Sequence, residues 1–414
     1  MQEEFKLKVV NYLKGSYIML EGQQNADRFF IIQHGKVHIS KEVKVQGDTE
    51  GDKILGPGDF FGVISSMSSH RYLENARAAT DVAVITVLPS QYGVLIQRKA
   101  QVAIKIITQF SKQLRNMNET LARLTLHNTT EAGPQQLFHV AEYFFGKKRY
   151  HPAFHAYTKY LHHCPDGSGI DIAKENLQKI RGHVINTHTD IKANEVNRTY
   201  NKDEMIFSEG EPGQELFAIQ SGAVKIIKIV DNREVLLAVL KSGDIFGEMA
   251  LLEDKPRVAS AVVFESCKLL AINKANFKLM IQSQPQLITK ITTLLAERLW
   301  LVYKKFANTA IYNMNARAYD SLLIQLEKNR IALDNNVPYT FSFGPNELFN
   351  MMGIREVDGN VVLKSMLNER KIYIEKERIH TPSVVDLVMQ AEYYQKMEKI
   401  EKMKRKKQQL QGSN

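Results

Sequence analysis

The fold is decided by two stretches that read alike: "GSYIMLEGQQNADRFFIIQHGKVHIS", Gly15 to Ser40, and "DEMIFSEGEPGQELFAIQSGAVKII", Asp203 to Ile227, at an offset of about 187 residues. Each holds an apolar strand pattern, a Glu-Gly turn, a second strand and a closing glycine. Downstream, "GPGDFFGVIS" (Gly56 to Ser65) answers "KSGDIFGEMA" (Lys241 to Ala250) at an offset of 185, and "ARAATDVAVITV" (Ala76 to Val87) answers "PRVASAVVFESCKLLAI" (Pro256 to Ile272). The chain therefore carries one module twice. Short β-rich runs separated by glycine-bearing turns predict a small antiparallel barrel or jelly roll in each copy. Each copy then runs into a long amphipathic helix, expected over Ser90 to Leu126 and Lys274 to Ala310. In the second, Leu287, Ile291, Leu294, Leu295, Leu299 and Val302 keep one apolar stripe, which fits either core packing or pairing with a second copy of the chain.

At 414 residues the chain is expected to hold two to four domains, and 44% hydrophobic with 24% charged residues describes an ordinary globular protein. No apolar run approaches the roughly 18 residues of a membrane span, and the charged start "MQEEFKLKVVNYLKG" does not read as a signal peptide. The expectation is a cytoplasmic protein. Two cysteines, Cys164 and Cys267, cannot supply a disulfide framework or a four-cysteine cluster within one chain. Half of the net charge of +10 falls between Lys396 and Lys407, where seven basic residues meet two glutamates. Such a run is ordinarily a solvated helix end.

Between the copies, "VAEYFFGKKRYHPAFHAYTKYLHHCPD" places Ala141, Phe144, Ala153, Tyr157, Tyr160 and Pro165 at the small and large positions of a tetratricopeptide-type helical hairpin, and "GIDIAKENLQKIRGHV" supplies a further helix. A single such repeat must pack on a neighbour or hold a partner segment. His151 and His155 lie one turn apart near His162, His163 and Cys164. They read as surface residues of the hairpin, and no metal is expected.

In the second copy, "FGEMALLEDKPRVAS" resembles the phosphate-binding cassette of cyclic nucleotide-binding domains, and the likeness extends over Tyr200 to Lys305. The resemblance implies a cyclic nucleotide effector, cAMP first, and the chemistry suits it. An arginine, Arg257, forks onto phosphate oxygens, and a carboxylate, Glu248, accepts from the ribose 2′-hydroxyl. Gly247 lets the backbone approach, and a short helix begun near Met249 aims free N–H groups at the phosphate. Ala250, Val258, Ala259 and Ser260 keep the cradle small, and Ala259 goes with cyclic AMP in this family. Where related activators place a Thr-Ser pair against the purine, Val302 and Tyr303 stand here, so Tyr303 or Trp300 would stack on the base. The alternative is that Glu248 and Arg257 form a ligand-free ion pair. The first copy, "FFGVISSMSSHRYLENARAAT", keeps Gly62 and an arginine, Arg77, before Ala78, but holds Val63 at the glutamate position and reads as five residues longer. It is expected to be a structural copy, with a second pocket at Gly62, Arg77 and Ala78 as the other reading.

Past the second long helix, "ARAYDSLLIQLEKN", "PYTFSF" and "GPNELFNMMGIREVDGNVVLKSMLNERKIYIEKERIHTPS" resemble the winged helix-turn-helix of the catabolite-activator (Crp/Fnr) regulators. Pro345 suits a first helical position, Gly353 the tight turn, and "KIYIEKERIHT" the wing. The groove-facing residues depart from the family. Arg355 and Lys364 are matched by Glu356 and Asp358 between Ile354 and Leu367, so DNA affinity would draw on Arg355, Asn360, Lys364, Arg370, Lys371, Lys376, Arg378 and the tail. No nucleophile–base pair, P-loop or paired catalytic carboxylates stand out, and no enzyme is expected.

The sequence thus predicts an α+β multidomain protein. Its parts are a degenerate cyclic nucleotide-binding-like domain (1–126), a TPR-like insert (127–190), a cyclic nucleotide-binding domain with a dimerisation helix (191–310), a winged helix (311–383) and a basic tail (384–414). Expected partners are a cyclic nucleotide, double-stranded DNA, a second copy through the long helices and a protein at the insert, with no membrane. The competing class is a nucleotide-sensing interaction protein.

Overall fold

The structure, a computed structural model, describes residues 7–24, 26–41, 52–126, 133–184, 195–230 and 232–411. The first module comprises β1 (Lys8–Tyr12), β2 (Tyr17–Met19), β3 (Phe29–His34), β4 (Val37–Ser40), β5 (Asp52–Leu55), β6 (Phe60–Phe61), a short helix α1 (Val63–Ser68), β7 (Asn75–Ala78) and β8 (Val82–Val87). The strands make two four-stranded antiparallel sheets, β1-β8-β3-β6 and β2-β7-β4-β5, with Met19, Phe30, Ile32, Val37, Ala76 and Val84 in their common core. The helix expected over 90–126 is two, α2 (Pro89–Arg98) and α3 (Ala100–Leu126).

The insert folds as α4 (Gln136–Gly146), α5 (Tyr150–His163) and α6 (Ile170–Ile180), followed by a single 3-10 turn at Arg181–His183. Ala141, Phe144, Ala153, Tyr157 and Tyr160 are fully buried, whereas Pro165 is exposed past the end of α5. The same apolar cluster takes in Met205, Ile227, Ile229 and Val262 of the second module. The three helices are therefore built onto that module's sheet.

The second module comprises β9 (Asn197–Tyr200), β10 (Met205–Phe207), β11 (Glu215–Val230), β12 (Arg233–Lys241), β13 (Ile245–Phe246), a short helix α7 (Glu248–Glu253) and β14 (Ser260–Asn273). Here β11 and β14 run on through register shifts, so the strands join into one six-stranded sheet. Two helices follow, α8 (Lys274–Ser283) and α9 (Pro285–Thr309). They replace the single helix expected over Lys274 to Ala310, because Pro285 opens a helix readily and forces the residue before it out of one.

The C-terminal body has α10 (Met314–Lys328), β15 (Tyr339–Thr340), α11 (Pro345–Met352), α12 (Glu356–Asn368), β16 (Tyr373–Glu375), β17 (Arg378–Thr381) and α13 (Val384–Gln411). The strands pair in the order β15-β17-β16. Gly353 ends α11 in the left-handed region at φ 67°. Gly359, which weakens α12 by propensity, serves packing: a Cβ there would lie 2.5 Å from the Phe349 ring. The segment expected to be a tail begins inside this body, because Val384, Leu387 and Ala391 join its core. The Glu398 carboxylate also accepts from the Tyr312 and Asn313 N–H groups ahead of α10, at 3.0 and 3.1 Å.

The chain packs as two compact units, Met1–Leu88 with Met117–His127 and Ala296–Asn414, and Pro89–Asn116 with Asn128–Leu295. Both long helices, α3 and α9, contribute to each unit.

Candidate functional site

In the unit built on the second module, the β13–α7 turn presents the cassette. Gly247 caps α7 in the left-handed region at φ 80°, and a Cβ on it would lie 2.7 Å from Arg257 Nη1. Only glycine fits that position without strain. Glu248 opens α7, and Arg257 follows it; both side chains are buried, the residues being 3% and 5% exposed. Arg257 donates to the carbonyls of Gly247 at 2.5 Å and Glu215 at 2.7 Å, and stacks over Phe207 at 4.1 Å. Its Nε is buried without a hydrogen-bond partner. Burial pulls the guanidinium down to about 10, against the opposing pull of Glu211, Glu248 and Glu215.

The remaining predicted residues line this cradle or support it. Ala250 and Ala259 are buried, and Met249 and Val258 half-buried. The Ser260 hydroxyl accepts from Glu209 N–H at 2.8 Å. Gly213 was not singled out from the sequence, yet a Cβ there would lie 2.4 Å from Ala250 and 2.6 Å from Arg257 Nε. The turn "EPG" therefore closes directly onto the arginine. Glu211 in that turn is held by the insert: His155 Nε2 and Lys159 Nζ reach its carboxylate at 2.9 Å each. Burial works against the Glu211 charge, but His155 and Lys159 outweigh it and hold the carboxyl down at about 2. His155, expected on the surface, thus faces the barrel. Among the described residues no His, Cys, Asp or Glu group is arranged to hold a metal.

A helix from the other copy reaches the far end of α7. Arg115 Nε and Ser111 Oγ, both on α3, donate to the Glu253 carboxylate at 2.8 and 3.0 Å, and Arg115 Nη1 donates to the Pro256 carbonyl at 3.2 Å. The Arg115 and Glu253 side chains are 4% and 2% exposed. Tyr303 lies in the other unit, where the Lys41 ammonium sits 4.0 Å over its ring, and Trp300 stacks on His70 at 3.6 Å.

In the first module the structure corrects the sequence alignment. β2 pairs Met19 with Ala76 as β10 pairs Phe207 with Ala261, which puts Tyr72, not Arg77, in the place of Arg257. The hydrogen bonds agree. Gly22 N–H reaches the Tyr72 carbonyl as Gly210 N–H reaches that of Arg257, and the Tyr72 hydroxyl donates to Arg28 O at 2.8 Å as Arg257 donates to Glu215 O. The two excursions are therefore equal in length, and α1 and α7 match residue for residue from Gly62 and Gly247. Arg77 is exposed on β7 with its Nε on Gly15 O at 2.9 Å, while Ala78 is buried in the sheet core. Burial raises the Tyr72 hydroxyl to about 12. Val63 and Tyr72 leave this cassette no buried charge of either sign. Its α1 end is bound by Arg330, which donates to the Ser69 carbonyl at 3.0 Å and to that of Ser68. Burial, helped by Arg330 and Lys304, drops the His70 imidazole to about 4.

On the C-terminal body Arg355, Asn360, Lys364, Arg370, Lys376 and Arg378 are exposed. Arg355 is paired with Asp358 at 3.0 Å, and half-buried Lys371 lies 3.4 Å from Asp386. Val357 and Val361 stand out into solvent from α12. No helix among the described residues is long and apolar enough to cross a membrane.

Two stretches, residues 9–98 and 197–284, match the cyclic nucleotide-binding domain family. A cyclic AMP receptor protein of Thermus thermophilus is 37% identical over 103 residues, 25% of this chain and 48% of that protein, so the match spans about half of that relative. A CRP-like cAMP-activated global transcriptional regulator of Mycobacterium tuberculosis is 25% identical over 42% of this chain and 78% of its own length. Among solved structures, the c-di-GMP responsive global regulator CLP of Xanthomonas campestris aligns over 45% of this chain and 92% of that chain, at 23% identity and a TM-score of 0.35. The chain thus carries two stretches that match the cyclic nucleotide-binding domain, and the curated relatives it resembles are CRP-like regulators.

Proposed function

We propose that the protein is a cyclic nucleotide-responsive transcription regulator whose effector docks in the second module. The observation that carries this is the buried Arg257, with an unpartnered Nε, one turn of chain from the buried Glu248 in a cradle shaped by Gly247 and Gly213. A cyclic phosphodiester fits that donor set: Arg257 takes the phosphate by giving up its two carbonyl bonds, and Glu248 accepts from the 2′-hydroxyl. Met249, Ala250, Val258, Ala259 and Ser260 shape the pocket wall. cAMP is the first candidate, in keeping with the cAMP-activated relatives. Rearrangement of Arg257 acts on α7, and α7 is fixed at Glu253 to α3, so the ligand signal leaves the cassette through Ser111 and Arg115. The first module carries no cyclic phosphate, because Tyr72 and Val63 replace the two charges.

The C-terminal body acts as a winged helix-turn-helix, with α12 entering the major groove and β16–β17 as the wing. Arg355, Asn360 and Lys364 face bases, and Arg370, Lys371, Lys376 and Arg378 face phosphates. The proposed domain division is 1–126, 127–190, 191–310, 311–383 and 384–414, and Val384, Leu387 and Ala391 at the start of the last join the core of the winged body. A second reading is favoured by the exposed Val357 and Val361 beside Glu356 and Asp358: α12 then docks a protein, and the protein is a nucleotide-sensing interaction module.

Calorimetric titration with cAMP, cGMP and cyclic dinucleotides, beside Arg257→Ala, tests the sensor. Saturable binding lost in the variant is expected; no binding by the wild type refutes it. DNA titration across salt separates the two readings of α12. A steep slope with sequence preference means a regulator, and a slope without preference means that only basic residues touch phosphate.

A further inference from the structure

We infer that the helical insert is part of the second module's ligand site: it holds Glu211, and Glu211 is a positioning residue for Arg257. The turn 208–213 between β10 and β11 meets that arginine through backbone and side chain alike. Arg257 N–H donates to the Glu211 carbonyl at 2.8 Å, and the Arg257 carbonyl accepts from Gly210 N–H at 2.9 Å. A Cβ on Gly213 would lie 2.6 Å from Arg257 Nε. Where this turn moves, the guanidinium must follow.

The insert grips the turn at two points. On α5, His155 Nε2 and Lys159 Nζ take one oxygen each of the Glu211 carboxylate, at 2.9 Å. At the start of α4, Gly133 and Gln136 close on Gly210: a Cβ on that glycine, at φ 83°, would lie 2.5 Å from the Gly133 carbonyl oxygen and 3.2 Å from Gln136 Cβ. The carboxylate also accepts from Ser208 N–H at 3.0 Å, so its charge is fixed from three sides. Burial lowers the Arg257 guanidinium, and Glu211 is the strongest of the carboxylates that oppose it.

The first module shows that such a turn folds without this grip. There Tyr72 N–H donates to the Gln23 carbonyl at 3.3 Å, which puts Gln23 in the place of Glu211, and Gln23 is neutral and exposed. That module has no arginine to aim, because Tyr72 stands in its place. Burying a carboxylate is costly unless cations meet it, and the buried carboxylate with its two cations occurs in the module that keeps the arginine. A fixed turn gives Arg257 a fixed backbone from which to reach a phosphate, which lowers the ordering cost of binding. The inference rests on the ligand reading proposed above.

Calorimetric titration of the full chain with cAMP, cGMP and cyclic di-GMP selects the tightest binder as the probe. Lys159→Met is expected to raise its Kd, and His155→Ala with Lys159→Met to raise it about tenfold or more, within the usual range of coupling between sites. Lys159→Arg, which returns the cation, is expected to regain most of what Lys159→Met loses. Far-UV circular dichroism verifies the fold of each variant. Coupling is reciprocal, so the probe is also expected to slow amide exchange along α5 in the wild type, a readout that needs no variant. Binding indifferent to Lys159→Met and to the double variant, or α5 exchange that the probe leaves unchanged, overturns the proposal. If the wild type binds none of the three nucleotides, the ligand reading fails, and exchange of the Arg257 amide decides the rest: faster exchange in Glu211→Gln supports the hold of the turn on Arg257, and no change overturns it.

Discussion

Removing Arg115 tests whether α3 clamps the second cassette. In Arg115→Met the Glu253 carboxylate keeps only the Ser111 hydroxyl, 3.0 Å away, in a setting where its side chain is 2% exposed. Breaking a buried pair from one side costs about 3–5 kcal/mol, because the remaining charge is left uncompensated, and loss of the bond to the Pro256 carbonyl adds about 1 kcal/mol. Removing both charges, as Arg115→Met with Glu253→Met, is expected to return stability to within about 1 kcal/mol of the wild type, since two apolar side chains of similar volume need no charge partner. The assay is urea denaturation followed by circular dichroism, with midpoint and slope analysed separately because two units need not unfold together. A single variant costing under about 1 kcal/mol, or a double variant costing the sum of the singles, would refute the clamp. If the clamp also carries the signal, the double variant binds ligand with near wild-type affinity but loses the ligand-dependent change in α3, read by hydrogen exchange.

Further tests address the other sites. Gly247→Ala forces a Cβ against Arg257 at a left-handed φ, and about 1–3 kcal/mol of destabilisation together with lost ligand binding is expected; unchanged titration would remove Gly247 from the cradle. Arg77→Ala is expected to change stability by less than about 0.5 kcal/mol and leave ligand stoichiometry unaltered, while Tyr72→Phe, which loses the bond to Arg28 O, costs about 1 kcal/mol in the same melts; the reverse order would restore Arg77 as the pocket residue. The Glu211 carboxyl is held near 2 against an ordinary 4.5. It contributes stability above pH 4.5 that is lost as pH falls through 2, about 3 kcal/mol in all, and Glu211→Gln is expected to flatten the stability–pH curve in that window. Gly359→Ala drives a Cβ into the Phe349 ring and is expected to cost about 1–3 kcal/mol in the C-terminal body, measured as lost amide protection in α11 and α12.

The repeat, the turn and short helix that carry Glu248 and Arg257, and the order of elements in the C-terminal body were all legible in the sequence. These are local patterns: alternation, glycine at a left-handed turn, and proline at a helix start leave marks in neighbouring residues. Glu248 and Arg257 were legible because nine residues of one chain segment place them together. The arginine position of the first module was misread for the opposite reason. "ARAAT" looks like "PRVAS" in letters, and only strand pairing, Met19 to Ala76, shows that Tyr72 stands in the register of Arg257. The clamps on the two cassette helices, Arg115 on Glu253 and Arg330 on the end of α1, were also beyond the sequence, since their partners lie 138 and more than 260 residues away. Composition and periodicity record which residues seek burial; which buried charge meets which is settled only when distant helices pack, because an ion pair at low exposure depends on where two backbones bring their side chains and leaves no periodic trace in either one.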